Sequence, residues 1–417
     1  MKKRVVALLV ILVIFALICP VNNIFAANVS VESESAILFD VDQNSVLIEK
    51  EINKKMHPAS ITKVMTILLA CEKCNLDDTI TVDNNILLTL PKDAVIADYR
   101  GGEKITVRDA ILTAYLRSAN DAATLLACHI SGSVEKFAVL MNEKAKSLGA
   151  ENTNFTNPTG LTDDNHYTTA YDMALITKAA VQNQKLMEVC SQLKYTLLKG
   201  DLRPEDLEIT VGHRMLDKDT NQFYQGVVFG KTGFTDAAKS TLVTAAKKDG
   251  RTLIAVTLSH EDRFKQYKET KALLDYGYGS FYRFVLSKDD LKSMVTVKRS
   301  ELANIESDFS VILPVEVKRE LLTQSVDVIE NEIFVTLKGA NEDITQKIGV
   351  VTKNKSGAWY IISKIFKIIF TIIGILLLLF ILFFIYLIYY VNKRNKKRIA
   401  ERKKKAQIEA NYKYYNM

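Results

Sequence analysis

Residues 368–391 form a run of 24 without a charged side chain, and that run restricts the chain more than any other feature. Lipid offers no partner to a backbone N–H or C=O, so a segment this apolar has to satisfy itself as a helix. Its length is enough to cross a hydrocarbon core of roughly 30 Å. Trp359 and Tyr360 lie ahead of it and Tyr386, Tyr389 and Tyr390 at its far end, where interfacial aromatics collect. We draw the membrane helix at 366–391. The tail that follows, 392–417, holds ten Lys/Arg against Glu401 and Glu409, a net +8. By the positive-inside rule this tail is cytoplasmic and everything before the span faces outward, giving a single-pass protein of the cell membrane. The stretch 393–405 could also bind anionic lipid, but orienting the span accounts for it.

The N-terminus agrees with that topology. Residues 1–27 have a basic start, an apolar core over 5–19 and small residues at Ala26 and Ala27, the pattern of a cleaved secretory signal peptide. The formal charge of the chain is +7; Lys2, Lys3 and Arg4 supply +3 and the tail +8, so the body between them is −4. A mildly acidic body gives no electrostatic support to nucleic-acid binding. Of the five cysteines, Cys19 falls in the signal segment. Cys71 and Cys74 lack the second pair that a structural zinc site needs and read as thiols on a helix, with a disulfide left open by the exported compartment. The five histidines have no metal-like spacing, so no metal and no cofactor is expected.

Chemistry concentrates around His57–Thr66. Pro58 just ahead of an apolar run marks a helix start, with Ser60 in its first turn. Lys63, three residues on, projects from the same face. A serine needs a neighbouring base to become a nucleophile, and a desolvated lysine serves as one. The spacing alone is weak, because it recurs at Ser133/Lys136 and Ser191/Lys194. Two further motifs follow in order: Ser118-Ala119-Asn120 and Lys231-Thr232-Gly233. Ordered Ser-x-x-Lys, Ser-x-Asn and Lys-Thr-Gly form the signature of penicillin-binding proteins and serine β-lactamases. From here the chain resembles the low-molecular-mass penicillin-binding proteins, the serine-type D-alanyl-D-alanine carboxypeptidases. It shares with them the runs 36–40, 157–161 and 166–174 besides the Ser60 stretch. The resemblance extends over about 35–280.

Periodicity supplies the architecture. Residues 35–40 and 46–49 read as a hairpin; 107–128, 134–148 and 171–181 carry apolar residues at helical spacing; 226–235, 240–246 and 252–258 read as strands, the last two joined by a turn at Lys248-Asp249-Gly250. Strands at both ends with helices between suggest an α+β catalytic domain at 28–285, an antiparallel sheet sandwiched by helices. The resemblance implies the same penicillin-binding-protein/β-lactamase-like fold. Short β-like runs at 294–297, 310–313, 333–337 and 348–352 suggest a small all-β domain at 286–355.

The resemblance also implies roles. Ser60 is the nucleophile, Lys63 its base, Ser118 a proton relay and Asn120 a group that orients Lys63 and the peptide. The backbone N–H groups of Ser60 and Phe234 would make the oxyanion hole. Lys231, flanked by Thr232 and Thr235, would hold the substrate carboxylate, with Gly233 leaving room for the peptide along the strand. The partners implied are peptidoglycan stem peptides ending in D-Ala-D-Ala and β-lactam antibiotics. Rival readings are an endopeptidase or transpeptidase acting on cross-links, a β-lactamase, and a catalytically silent, membrane-tethered wall-binding protein. Against the β-lactamase, 162–174 holds Asp163, Asp164 and Asp172 but no glutamate.

Overall fold

The computed structural model describes residues 29–298, 301–340, 343–353 and 358–415. The signal segment, including Cys19, lies outside the described residues. Two compact units are present, one running to Phe284 and including Val311–Glu316, the other made of Val285–Ser310 and everything from Val317 on.

The first unit is built on a five-stranded antiparallel sheet in the order Ser45–Lys50, Ser35–Asp40, Arg251–His260, Lys239–Lys248, Val227–Thr235. All six residues of Ser35–Asp40 are buried, which a strand achieves only when both faces of its sheet are covered. The alternation of side chains divides the core accordingly. Ile37, Phe39, Val243, Ile254 and Val256 face one cluster, shared with the helices Lys63–Lys73, Val107–Leu116, Asn120–Ser131 and Ala170–Gln182. Leu38, Leu242, Leu253 and Ala255 face the other, against Tyr267, Leu273 and Leu274 of the helix Arg263–Gly279. This is the expected sheet between helices. Inside it, Arg251 donates from Nε and Nη2 to Asp40 Oδ2 at 3.3 and 3.1 Å, both side chains buried.

The helix Arg263–Gly279 did not show in the sequence. Much of its buried face is Gln266, Glu269 and Thr270, so the apolar period that signals a packed helix is diluted. The helical spacing over 107–128 also conceals a break: the chain leaves one helix at Leu116 and enters the next at Asn120.

In the second unit the strands Glu301–Ile305, Ile344–Lys353, Glu332–Lys338 and Thr323–Ile329 form an antiparallel sheet in that order. Ile333, Val335 and Leu337 alternate into its core. Residues 294–297 are not a strand: Lys288–Met294 is a helix under a capping box from Ser287 and Asp290. The run 310–313 lies in Phe309–Pro314, which is not part of this sheet: it pairs with Phe281–Leu286, and from Val311 on it belongs to the first unit. Ala358–Tyr415 is a single helix, and its stretch Ile362–Lys404 is long and apolar enough to cross a membrane.

Candidate active site

Pro58 leads into a 3-10 turn, Ala59–Thr62, that continues as the helix Lys63–Lys73. Ser60 therefore sits on the tighter turn just ahead of the α-helix, with Ala59 at φ +51°. Lys63 is fully buried in the first turn of the helix. Its Nζ lies 2.9 Å from Ser60 Oγ, 2.8 Å from Asn120 Oδ1 and 2.7 Å from the carbonyl oxygen of Thr159. Burial drives its pKa well below the ordinary lysine value; the charge of Lys231 adds to that and Asp121 opposes it.

Ser118 occupies the break between the two helices at φ +64°. Its Oγ accepts from Lys231 Nζ at 3.0 Å, and the same ammonium donates to the carbonyl of Thr232 at 3.0 Å. Lys231, 2% exposed, is pushed down to about 7 by burial. Two lysines thus each hold one serine, and none of their hydrogen bonds goes to a carboxylate.

The Lys-Thr-Gly strand is an edge of the sheet and runs beside the serine turn. Thr241, opposite Gly233 in register, donates its hydroxyl to the carbonyl of Pro58 at 2.8 Å and pins strand to turn. A Cβ on Gly233 would stand 2.4 Å from Thr241 Oγ1 and 2.8 Å from the backbone nitrogen of Ser60, so only glycine permits this approach. Thr232 and Thr235 are half-buried along the same edge, Phe234 is exposed, and Thr235 Oγ1 accepts from the N–H of Ala238.

Ser60, Lys63 and Asn120 therefore form one hydrogen-bonded cluster and Ser118 with Lys231 a second, the two joined through the Ser118–Asn120 backbone into a single network, with Gly233 against the backbone of Ser60. The other two Ser-x-x-Lys pairs do not join it: Ser133 caps a helix N-terminus and Ser191 follows a helix end. The participant missing from the sequence reading is the Thr159 carbonyl. The Asn157 amide oxygen accepts from the backbone N–H groups of Thr159 and Gly160 and from the Thr159 hydroxyl, shaping a tight loop. Gly160, at φ +83°, lies so close to the serine turn that a Cβ would be 1.8 Å from the oxygen of Ala59. An Asn-Pro turn was legible in the sequence, but a backbone acceptor carries no side-chain signal.

Around the site, His166 is buried and pushed down to about 4 by desolvation. Its Nδ1 accepts from the N–H of Thr156, so Nε2–H donates to Thr62 Oγ1 at 2.9 Å; His57 Nδ1 donates to the carbonyl of His166. Both histidines brace the loop. Cys71 and Cys74 are free thiols.

A family model for D-alanyl-D-alanine carboxypeptidases, peptidase family S11, matches residues 22–262. The D-alanyl-D-alanine carboxypeptidase DacF of Bacillus subtilis is 33% identical over 284 residues, 66% of this chain and 70% of that protein. A D-alanyl-D-alanine endopeptidase of Escherichia coli is 29% identical over 250 residues, 60% of this chain and 78% of that one. Penicillin binding protein 5 from Haemophilus influenzae has a solved structure that superposes with a TM-score of 0.66 at 22% identity, covering 79% of this chain and all of that one, and so shares the fold. The matched region spans more than half of the sequence and contains all three motifs of the network; the chain belongs to the D-alanyl-D-alanine carboxypeptidase family of serine peptidases.

Proposed function

We propose that this chain removes the terminal D-alanine from peptidoglycan stem peptides ending in D-Ala-D-Ala, through an acyl-enzyme at Ser60, and that β-lactams acylate the same serine. The observation that carries the mechanism is the set of three partners around Lys63 Nζ. A neutral amine has two N–H groups and one lone pair. The carbonyl oxygens of Thr159 and Asn120 only accept, so they take the two N–H groups and leave the lone pair toward Ser60, whose O–H donates to it. Burial supplies the neutral form.

Ser60 Oγ then bonds to the penultimate D-Ala carbonyl carbon while its proton passes to Lys63. The oxyanion is met by the N–H groups of Ser60 and Phe234. On collapse the C–N bond breaks, and the departing D-Ala nitrogen takes a proton from Lys63 through Ser118. Water, activated by Lys63, attacks the ester and releases the shortened peptide as a carboxylate. Lys231, with Thr232 and Thr235, recognises the terminal carboxylate, which restores the ammonium by supplying its counter-charge. A β-lactam follows the same first step, but the amide that breaks is in its ring and the leaving nitrogen stays attached.

We further infer that a catalytic domain at 28–285 and a β-rich domain at 286–355 stand outside the cell, tethered by one span at 366–391 with the tail 392–417 inside. The long apolar helix and the basic tail support this. Labelling of single cysteines placed in the tail by an impermeant maleimide, only after the membrane is opened, is the expected result.

The enzymatic reading is tested with the full chain in detergent, incubated with benzylpenicillin and weighed intact, while D-Ala release from a diacetyl-Lys-D-Ala-D-Ala peptide is followed. A stable adduct absent in Ser60→Ala, together with D-Ala release, is expected. Neither adduct nor release from folded protein would leave the tethered wall-binding protein as the account. Release from cross-linked dimers alone would favour the endopeptidase.

A further inference from the structure

We propose that Asp121 is a positioning residue of this site: by clamping the segment 95–99 against the Ser118–Asn120 turn, it holds Asn120 in reach of Lys63. The inference rests on the reading of Ser60 as nucleophile and Lys63 as its base.

The turn that carries Ser118 and Asn120 has little structure of its own, being three residues between two helices with Ser118 in the left-handed region. Its backbone is tied on two sides. The N–H of Ala119 donates to the carbonyl of Thr113 at 3.2 Å, and the N–H of Asn120 donates to the carbonyl of Val95 at 2.7 Å. The second tie depends on a stretch with no regular secondary structure, and Asp121 secures that stretch. Both of its carboxylate oxygens lie 2.9 Å from the N–H of Ala97, and Oδ2 is 3.5 Å from the N–H of Tyr99. Arg117, on the other side of the turn, adds a bond from Nε to the carbonyl of Ile96 at 2.7 Å. The same segment is gripped from outside by Arg203, which reaches the Asp98 carbonyl and pairs with Glu103.

Asp121 is 1% exposed. Its carboxylate accepts from backbone N–H groups, that of Ala122 at 2.8 Å included. An acceptor-only group suits this pocket, and a carboxamide would turn an N–H donor toward other donors. An acidic residue in the first turn of Asn120–Ser131 would also favour the helix dipole. That helix-stabilising role predicts lost stability and nothing else. Positioning predicts a defect in the acylation step. The carboxylate also reaches Lys63 through its charge: Asp121 favours the ammonium there while Lys231 disfavours it, so removing the Asp121 charge moves the deprotonation of Lys63 to lower pH.

The test uses the full chain in detergent and measures the rate of Ser60 acylation by benzylpenicillin against pH, scored per folded site from the final adduct stoichiometry. In the wild type the rate rises as Lys63 loses its proton. Asp121→Asn is expected to lower the plateau about tenfold or more and to move the rising limb to lower pH. Arg117→Ala keeps the carboxylate and the helix start but releases one tie on the same segment, and is expected to lower the plateau severalfold with the limb unmoved. A folded Asp121→Asn protein with the wild-type plateau and limb, however much its melting temperature falls, overturns the proposal. If that variant does not fold, Arg117→Ala decides, and a wild-type plateau there overturns it. A wild type with no Ser60 adduct would remove the reading of the site itself and this inference with it.

Discussion

Replacing Gly233 with alanine adds one carbon at the tightest point between the Lys-Thr-Gly strand and the serine turn. The new Cβ would lie 2.4 Å from Thr241 Oγ1, 2.8 Å from Ser60 N and 3.1 Å from Ala59 Cβ. Ordinary contact distances are about 3.5 Å, so strand and turn have to separate by the better part of 1 Å. Thr241 cannot simply rotate away, because its hydroxyl holds the carbonyl of Pro58 at 2.8 Å. Overpacking costs about 1–3 kcal/mol and the lost hydrogen bond about 1 kcal/mol, so the melting temperature falls but the fold survives. The kinetic loss is larger. The displaced groups are the proposed oxyanion donors, one of which is worth about 100- to 1,000-fold in rate. The acylation rate constant with benzylpenicillin, from intact mass against time, should fall by at least the lower figure. Gly279→Ala is the control, since a Cβ there meets nothing within 4 Å. A folded Gly233→Ala protein acylated within threefold of wild type would refute the argument that this contact builds the oxyanion hole.

Three other outcomes are expected. Lys231, cationic below about 7 and neutral above it in the free enzyme, should make kcat/KM for a carboxylate-terminated peptide decline as pH rises through that value; Lys231→Arg, charged throughout, should lose the decline. A wild-type profile flat from pH 7 to pH 10 would contradict this. Asp40→Ala strands the buried guanidinium of Arg251 and should lower stability by about 3–5 kcal/mol in a thermal or urea melt, whereas loss under 1 kcal/mol would mean that the pair is dispensable. Lys63 has no carboxylate among its partners to help activate the hydrolytic water, so penicilloyl-enzyme turnover should be slower than about one per second. Faster decay of the adduct mass would restore the β-lactamase reading.

Some of the site was legible because the information is local. Ser60 and Lys63 are three residues apart on one turn-helix segment, and Lys231 to Gly233 are consecutive on one strand, so side-chain identity and spacing carry the chemistry. The break at Ser118 was hidden because the apolar run that ends at Leu116 resumes at Ala122, so the polar residues Arg117, Ser118, Asn120 and Asp121 read as about one turn of a continuous helix. The strand Thr323–Ile329, almost wholly exposed, offers only the short Val326/Val328 alternation to read.

The sequence alone determined the order of the three motifs, the two-sided burial of the strands and a C-terminal segment apolar enough to span a membrane. Each follows from residue type and period within a few turns of chain. Tertiary structure decided the rest: that the Thr159 carbonyl and Asn120 meet at Lys63 and leave its lone pair to Ser60, that Lys231 closes on Ser118, and that Asp121 holds the loop behind Asn120. These contacts join residues far apart in the chain, and several use backbone atoms common to every residue. Only the packing of the sheet between its helices selects which of them meet.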